Sequence, residues 1–314
     1  MFYSIIVPVY NRPDEVEELL ESLTRQEGNV PFEVVIVEDV SARTCDAVVE
    51  RYSSKLDLHY YARSNTGISA SRNYGAEKSK GDYLVILDSD CIIPPHYFEA
   101  IEQELRTNPC DAFGGPDAAS PSFSHIQKAV NYAMTSFFTT GGIRGGKKQM
   151  EKFHPRSFNM GIKKEVYADL GGFSNMLCGE DIDFSIRIFQ QGYTVRLFPE
   201  AFVYHKRRTN MLKFFRQVFR FGAARIDLYK RHPSSLRVIH FLPTAFVVGT
   251  LFLLVSSLWC VYALIPLGVF CILVGIDASI KNKSLAVGCL SIATSFVQLF
   301  GYGIGFIIAL LARL

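Results

Sequence analysis

Residues 85–95 read VILDSDCIIPP, and in this stretch two aspartates end an apolar run with one residue between them. The valine, isoleucine and leucine before Asp88 are typical of a buried strand, which Pro94 and Pro95 close. Taken alone, Asp88 and Asp90 fit a capped turn as well as they fit a metal site. Two hard carboxylate oxygens on a strand-end loop do suit Mg²⁺ or Mn²⁺ held jointly with phosphate groups. The surrounding sequence has to decide between these interpretations.

Apolar strands alternate with helical segments on both sides of this stretch. Strands are predicted at residues 4–9, 33–38, 58–61 and 82–88, and helices follow from Pro13, about 44, Ile68 and Tyr97. This alternation indicates an α/β fold with a mostly parallel sheet and right-handed crossovers. Ligands bind such sheets beyond the carboxyl ends of the strands, where Asp39 and the Asp88–Asp90 pair fall. Residues 1–204 are predicted to form this domain.

The end of the chain is almost entirely apolar and predicts a membrane domain at 238–314. Its apolar runs cover about 241–259, 261–276 and 285–312. A helix needs roughly 20 such residues to cross a bilayer. The second run is short and contains Pro266, so that two or three transmembrane helices remain open.

The compartment is predicted from the N-terminal sequence, the cysteines and the basic residues. FYSIIVPVYNRP has no basic region ahead of its apolar stretch, so we expect the first domain to stay in the cytoplasm. Seven cysteines without a C-x-x-C pair agree with a reducing compartment. Lys281 and Lys283 put the loop between the last two apolar runs on the same side as the first domain. With three spans, the chain would end outside.

Segment 205–237 is strongly basic. From Lys206 to Arg237, ten lysines or arginines stand against a single acid. Leu212, Phe215 and Phe219 recur at helical spacing opposite the basic face. Such a helix suits the membrane interface and anionic lipid head groups better than nucleic acid. A juxtamembrane helix that packs on the domain is the alternative that the sequence leaves open, and both interpretations can hold together.

GEDIDFSIRI, residues 179–188, places three acids at the start of an amphipathic helix. Acids in a first turn favour the helix dipole, so their presence has a purely structural explanation. The apolar face would anchor the helix and leave Glu180 and Asp181 free to enter a cleft. A carboxylate in that position can serve as a general base.

Five motifs in order resemble family 2 glycosyltransferases over residues 2 to about 205. They are IIVPVYNR, VIVEDVS, NTGISASRNYGAEKSKGDYLVILDSD, FNMGIKKEVYADLGGF and GEDIDFSIRI. The apolar tail resembles membrane-attached bacterial members that build envelope glycans or exopolysaccharide on polyprenyl-diphosphate carriers. The resemblance implies a GT-A fold and inverting transfer from a nucleotide-diphosphate sugar, most often a UDP-sugar.

The resemblance also implies which residues bind the donor. The set is Pro8, Val9, Tyr10, Asp39, Arg72, Asp88, Ser89 and Asp90. Asp39 matches the aspartate that hydrogen-bonds uracil, and Arg72 lies where a basic residue approaches the nucleotide. Asp88 would contact the ribose or the metal, and Asp90 would ligate Mn²⁺ or Mg²⁺ bridging the diphosphate. His205 is a further candidate for the metal or the diphosphate, with an ordinary interfacial histidine as its alternative.

On the acceptor side, the resemblance assigns the base to Asp181, with Glu180 beside it. Arg207 and Arg208 are candidates for binding a diphosphate. Processive synthases carry Gln-x-x-Arg-Trp on an interfacial helix, and here QVFRF supplies Gln217 and Arg220 with phenylalanine in place of tryptophan. This departure favours an enzyme that adds a single sugar.

The sequence therefore predicts a membrane-attached glycosyltransferase acting on a polyprenyl-linked saccharide at the cytoplasmic face of the inner membrane. Its expected partners are the sugar nucleotide, the acceptor and membrane lipids, without nucleic acid. A polyprenyl-monophosphate glycosyltransferase is the runner-up, followed by a processive synthase or a non-catalytic glycan- or lipid-binding subunit. The donor sugar, the linkage and the oligomeric state stay open.

Overall fold

A computed structural model describes residues 1–64, 67–118, 123–141, 153–206 and 209–312 of the chain. Its strands are β1 Tyr3–Val9, β2 Phe32–Asp39, β3 Leu58–Arg63, β4 Tyr83–Leu87, β5 Cys91–Ile92, β6 Ala112–Gly114, β7 Asp117–Ala118, β8 Asn159–Lys163, β9 Val195–Leu197 and β10 Val203–His205. Its helices are α1 Pro13–Leu23, α2 Asp46–Tyr52, α3 Ile68–Lys78, α4 Tyr97–Thr107, α5 His125–Thr135, α6 Phe137–Thr140, α7 Lys164–Asp169, α8 Glu180–Gln190, α9 Met211–Arg231, α10 Leu242–Ser256, α11 Ile265–Asn282 and α12 Leu285–Leu311. The chain forms two compact units, Met1–Ser120 with Phe153–His205, and Pro121–Lys152 with Lys206–Leu314.

The first unit is built on a mixed sheet with the strand order β3-β2-β1-β4-β8-β6-β9. Strands β1 to β4 are parallel, which confirms the prediction from their continuous apolar runs. Strand β8 runs antiparallel to both β4 and β6. The carboxyl ends of β1, β2 and β4 therefore lie along one edge of the sheet and carry Asp39 and Asp88 there.

Helices cover both faces of this sheet because apolar side chains project from each face of the strands. One core cluster joins the sheet to α1 and α4 through Leu19 and Ile101. The other joins it to α7 and α8 through Val166, Phe184 and Ile188. The helix that begins at Pro13 and the helix from Ile68 to Lys78 start where the sequence predicted.

A small second sheet, with the order β5-β10-β7, lies next to the Asp88–Asp90 turn in the chain. In its antiparallel register, His205 of β10 pairs with Cys91 of β5. Because Cys91 directly follows Asp90, this pairing brings a residue from more than a hundred positions away to the aspartates. The sheet thus completes the site from a distant part of the chain.

The second unit contains α5, α6 and α9 to α12; its C-terminal part begins at Lys206, and it also includes Pro121–Lys152, which the sequence placed in the first domain. Residues 123–141 leave the first unit between β7 and β8 and pack with the C-terminal helices. The Tyr132 hydroxyl donates to Asp277 Oδ2 at 2.7 Å, and Thr294 Oγ1 donates to the carbonyl of Ala129 at 2.9 Å. These contacts join α5 to α11 and α12.

Three helical segments of the described chain are long and apolar enough to cross a membrane, namely Val238–Ser256, Val261–Asn282 and Leu285–Leu311. The second has 22 residues and is longer than the sequence pattern predicted. Helix α9 buries Phe214, Val218 and Ile226, whereas Leu212, predicted on its apolar face, is 57% exposed. The helix therefore buries part of its apolar face within the second unit.

Candidate active site

Asp88, Ser89 and Asp90 form the turn that follows β4, where the strand leaves the core. Ser89 and Asp90 are buried, while the Asp88 side chain stays 28% exposed. At the end of β2, which β1 separates from β4, Asp39 Oδ2 accepts a hydrogen bond from the Gly67 backbone N–H at 2.9 Å. Gly67 has a φ of 84°, a left-handed conformation that glycine adopts without strain. Asp39 thereby fixes the entry into α3.

Pro8 and Val9 end β1 beside the turn that follows β4, and Tyr10 comes directly after the strand. Pro8 and Val9 are buried, and Tyr10 is 59% exposed. The Asn11 side chain accepts hydrogen bonds from the backbone N–H groups of Ala42 and Arg43 at 2.7 and 3.0 Å. The loops after β1 and β2 are held together, with the Tyr10 ring facing solvent.

Asp90 lies between two groups that carry or can carry positive charge. Its Oδ2 accepts from Arg12 Nη1 at 3.0 Å, and its Oδ1 lies 3.0 Å from His205 Nε2. Arg12 also donates to Glu15 at 2.6 Å, and the His205 ring stacks on Phe158 with centroids 5.0 Å apart. Burial lowers the pKa of Arg12, but the nearby Asp90 and Glu15 carboxylates outweigh this effect and raise it. Arg12 therefore stays charged and orients the Asp90 carboxylate.

The donor atoms of Asp90 and His205 fit a divalent cation. Two ligands at right angles around a metal with bonds near 2.1 Å are separated by about 3 Å, and Asp90 Oδ1 and His205 Nε2 are 3.0 Å apart. Asp88 Oδ2 lies 4.0 Å from the same nitrogen. The Cys91 thiol also lies within 4.8 Å of the ligand atoms of Asp90 and His205. Burial raises the pKa of this thiol well above the usual value, which keeps it protonated. Two carboxylates and an imidazole suit Mn²⁺ or Mg²⁺, with Mn²⁺ favoured by the nitrogen ligand.

Arg72 connects this end of the site to the start of α8. The guanidinium donates to Asp88 Oδ1 through Nη2 at 2.8 Å and to Glu180 Oε1 through Nη1 at 2.7 Å. The side chain is 1% exposed and lies over the Phe173 ring at 5.3 Å. Burial lowers its pKa, but the two carboxylates more than offset this and raise it. A single buried cation thus sets the spacing of two acids on separate elements.

Glu180 and Asp181 open α8 directly after Gly179, whose φ of 87° turns the chain into the helix. Burial and the neighbouring Asp181 charge raise the pKa of Glu180, against the opposing effect of Arg72. Asp181 accepts from its neighbour's backbone N–H and lies 3.4 Å from Arg156 Nη1. With 18% of its side chain exposed, Asp181 is open to a ligand.

Sequence reasoning missed several residues of this site. Arg12 and Phe158 stand in the first and fourth motifs without an assigned role, and Arg156 lies outside all five motifs. The local signal for Arg12 was its place in a motif that also carries Pro8, Val9 and Tyr10. Their contacts join segments far apart in the chain, so spacing along the sequence does not reveal them.

The four predicted acceptor-side residues from segment 205–237 lie in the second unit or outside the described residues. Gln217 and Arg220 lie on α9 in the second unit, where Arg220 is exposed. Arg207 and Arg208 lie outside the described residues. Direct contacts within the first unit join Asp88 and Glu180 through Arg72, and Asp90 to His205, with Ser89 and Asp181 as chain neighbours of these residues. Asp39 lies at the end of β2, with β1 between β2 and β4.

The sequence profile of Glycosyl transferase family 2 matches residues 4–171, more than half of the chain. The chain belongs to this family. An uncharacterized glycosyltransferase of Haemophilus influenzae is 34% identical over 195 residues, 60% of this chain and 62% of that protein. The chain thus spans less than two thirds of that relative. A glucosyl-dolichyl phosphate glucuronosyltransferase of Haloferax volcanii is 27% identical over 66% of this chain and 67% of that protein.

Among solved structures, a mannosyltransferase of Pyrobaculum calidifontis in complex with GDP-Man and Mn²⁺ resembles the chain with a TM-score of 0.65. The two are 18% identical, and the match covers 97% of this chain and 86% of that one. At this identity the likeness shows the fold alone. It confirms the GT-A-like α/β domain that the motifs implied.

Proposed function

We propose that the protein is an inverting, metal-dependent glycosyltransferase that adds one sugar per encounter to a lipid-linked saccharide. The donor is a nucleotide-diphosphate sugar, with UDP-sugars as the first candidates. The observation that carries the proposal is the Arg72 bridge between Asp88 and Glu180. This bridge keeps the turn with Asp88 at a fixed distance from Glu180 at the start of α8. An inverting displacement needs such a fixed distance, because it uses one site for the leaving group and another for the nucleophile.

The leaving-group end is assigned to the turn after β4. Asp39 would accept from the nucleobase, and the β1 end with Pro8, Val9 and Tyr10 would line its pocket. Asp90 and His205 would hold Mn²⁺ or Mg²⁺, with Asp88 beside them. The metal, when bound, offsets the negative charge that grows on the departing diphosphate. Arg12 fixes the Asp90 carboxylate so that its other oxygen faces His205.

The nucleophile end is assigned to Asp181. A base must stand within hydrogen-bond reach of the acceptor hydroxyl and on the side of the sugar opposite the leaving group. Asp181 is partly exposed and is not tied to Arg72, whereas Glu180 is buried and paired. We therefore give Asp181 the role of base and Glu180 the role of a positioning residue that acts through Arg72.

The acceptor is assigned from the apolar helices of the second unit. A chain with lipid-facing helices meets its substrate most readily when the substrate is itself anchored in the bilayer. The name of the Haloferax volcanii relative describes such an acceptor for that protein. We place the catalytic unit on the cytoplasmic face of the inner membrane, and the basic loop at Lys281 and Lys283 supports this orientation.

Arg72→Met should lower the free energy of unfolding by about 3 kcal/mol, because two poorly solvated carboxylates lose their cation. Arg72→Lys keeps the charge but not the planar two-point geometry, so we expect it to fold and to lower kcat, because Asp88 and Glu180 both lose their fixed positions. Thermal unfolding and steady-state transfer measure the two effects. Arg43→Lys, in the exposed pair with Asp14, is the matched control and should change neither. Equal kcat for Arg72→Lys and the wild type would remove Arg72 from the reaction geometry.

The substrate assignment is tested by incubating the purified protein and Mn²⁺ with a panel of UDP- and GDP-sugars and a lipid extract. We expect one donor to lengthen a lipid-linked saccharide by a single residue, as read by mass spectrometry. A polyprenyl-monophosphate monosaccharide as the sole product would instead support the runner-up. A ladder of products from one acceptor would contradict single addition.

A further inference from the structure

Helix α9 lies alongside the C-terminal half of α12. A Cβ added at Gly301 would lie 2.4 Å from Val218 Cγ2, and one at Gly305 would lie 2.1 Å from the Phe219 carbonyl oxygen. Further along both helices, Ile226 packs with Phe306 in one apolar cluster. Because the contacts advance in the same direction on both helices, α9 and α12 run parallel. The glycines permit this close approach of two backbones.

The face of α9 turned away from α12 is basic. Lys213, Arg216 and Arg220 are exposed along it, at the same level as the helix contacts with α12. A lysine or arginine at the centre of a bilayer costs roughly 2.5–3.5 kcal/mol on insertion scales. Three such residues on one face exclude a transmembrane orientation of α9 and suit a helix that lies along the membrane interface. The part of α12 that packs parallel to α9 therefore runs along the interface with it and does not cross the layer.

The rest of α12 is too short to cross the bilayer. Val297 already packs against the α9 cluster of Phe214 and Val218, which leaves residues 285–296 for a crossing. At 1.5 Å per residue, these twelve positions span about 18 Å, against a hydrocarbon core of about 30 Å. Helix α5 also reaches this part of α12 through the Thr294 hydrogen bond to Ala129.

The other apolar helices differ from α12 in how much the protein covers them. In the most apolar 18-residue stretch of Leu285–Leu311, 50% is buried within the protein. The corresponding shares are 17% for Val238–Ser256 and 11% for Val261–Asn282. Large apolar side chains of α10 and α11 are open, including Phe252 at 69% and Ile280 at 71%. These two helices expose the surface that a lipid has to cover.

We propose that α12 does not cross the bilayer and that the acyl chains of the membrane contact the second unit mainly through α10 and α11. Both ends of α12 then lie on the side of α9, and Leu311 lies on the same side as the lysine loop at 281–283. This differs from the three-span topology, which hydropathy alone predicts. The proposal is independent of the transfer reaction and of the donor.

The topology is tested by cysteine labelling of the full chain in sealed membrane vesicles of known orientation. The background replaces by serine the cysteines that are not buried, which are Cys178, Cys260, Cys271 and Cys289. Single reporters are then Tyr229→Cys on α9, Leu285→Cys at the start of α12 and Leu311→Cys at its end. These native side chains are 42%, 80% and 65% exposed.

We expect a membrane-impermeant maleimide to label all three reporters from the same face of the vesicle. Labelling of Leu311→Cys only from the face opposite to Tyr229→Cys would overturn the proposal. The same holds if Leu285→Cys and Leu311→Cys react from opposite faces. If Leu311→Cys fails to insert, Ile308→Cys, at a site 50% exposed, replaces it as the reporter.

Discussion

Asp181→Asn is expected to lower kcat by about 10²- to 10⁴-fold, the usual contribution of a positioned general base. Asparagine keeps the size of the side chain and the oxygen that accepts from Ile182 N–H, so α8 should start unchanged. The amide cannot take a proton from an acceptor hydroxyl. Donor affinity should stay near the wild-type value because Asp181 contacts Arg156 and not the turn after β4.

Steady-state transfer from the identified donor measures this effect. Asp14→Asn, at an acid whose side chain is 75% exposed on α1, serves as the matched control and should leave kcat unchanged. If Asp181→Asn kept more than a tenth of the wild-type kcat, Asp181 would not be the base.

Asp90→Asn is expected to weaken metal binding by at least 10- to 100-fold, since even outer-shell partners of metal ligands are worth that much. The amide oxygen carries no charge, and Arg12 and His205 lose the carboxylate that lies between them. The manganese concentration for half-maximal transfer should rise accordingly, and kcat/KM should fall.

Manganese titration of activity, with electron paramagnetic resonance of free Mn²⁺, checks this directly. Glu15→Gln is the control, because Glu15 contacts Arg12 but not the proposed ligands. An unchanged manganese requirement in Asp90→Asn would exclude Asp90 as a ligand.

Features set by local sequence were predictable. The apolar run before Asp88 predicts a buried strand and the turn after it, and Pro13 at the first helical position predicts the start of α1. The same local rules found Glu180 and Asp181 at the start of α8. In each case neighbouring residues determine the element, so the pattern is enough to find it.

Features set by tertiary contact were not predictable from spacing. Arg72 and Glu180 are 108 positions apart, and no periodicity reveals that one guanidinium joins Glu180 to Asp88. His205 reaches Asp90 through the register of β10 with β5, two strands too short to produce a clear pattern. The motifs suggested a shared site, and the contacts define its geometry.

The second unit shows the limit of hydropathy. Residues 285–312 are apolar enough to predict a transmembrane helix. Composition alone does not show whether lipid or the rest of the protein buries such a helix. Helix α9 and residues 123–141, which lie between β7 and β8 in the chain, pack against α12. A helix pattern in α5 alone gives no sign that it packs with the C-terminal helices.

The central claim is that Asp90 serves the leaving group while Asp181 serves the nucleophile. Calorimetric titration of the nucleoside diphosphate into each variant, with and without Mn²⁺, tests it most directly. The account predicts that Asp181→Asn binds the nucleotide as the wild type does, with the same gain from Mn²⁺, whereas Asp90→Asn loses that gain. Equal loss in both variants, or retention of the Mn²⁺ effect in Asp90→Asn, would contradict it.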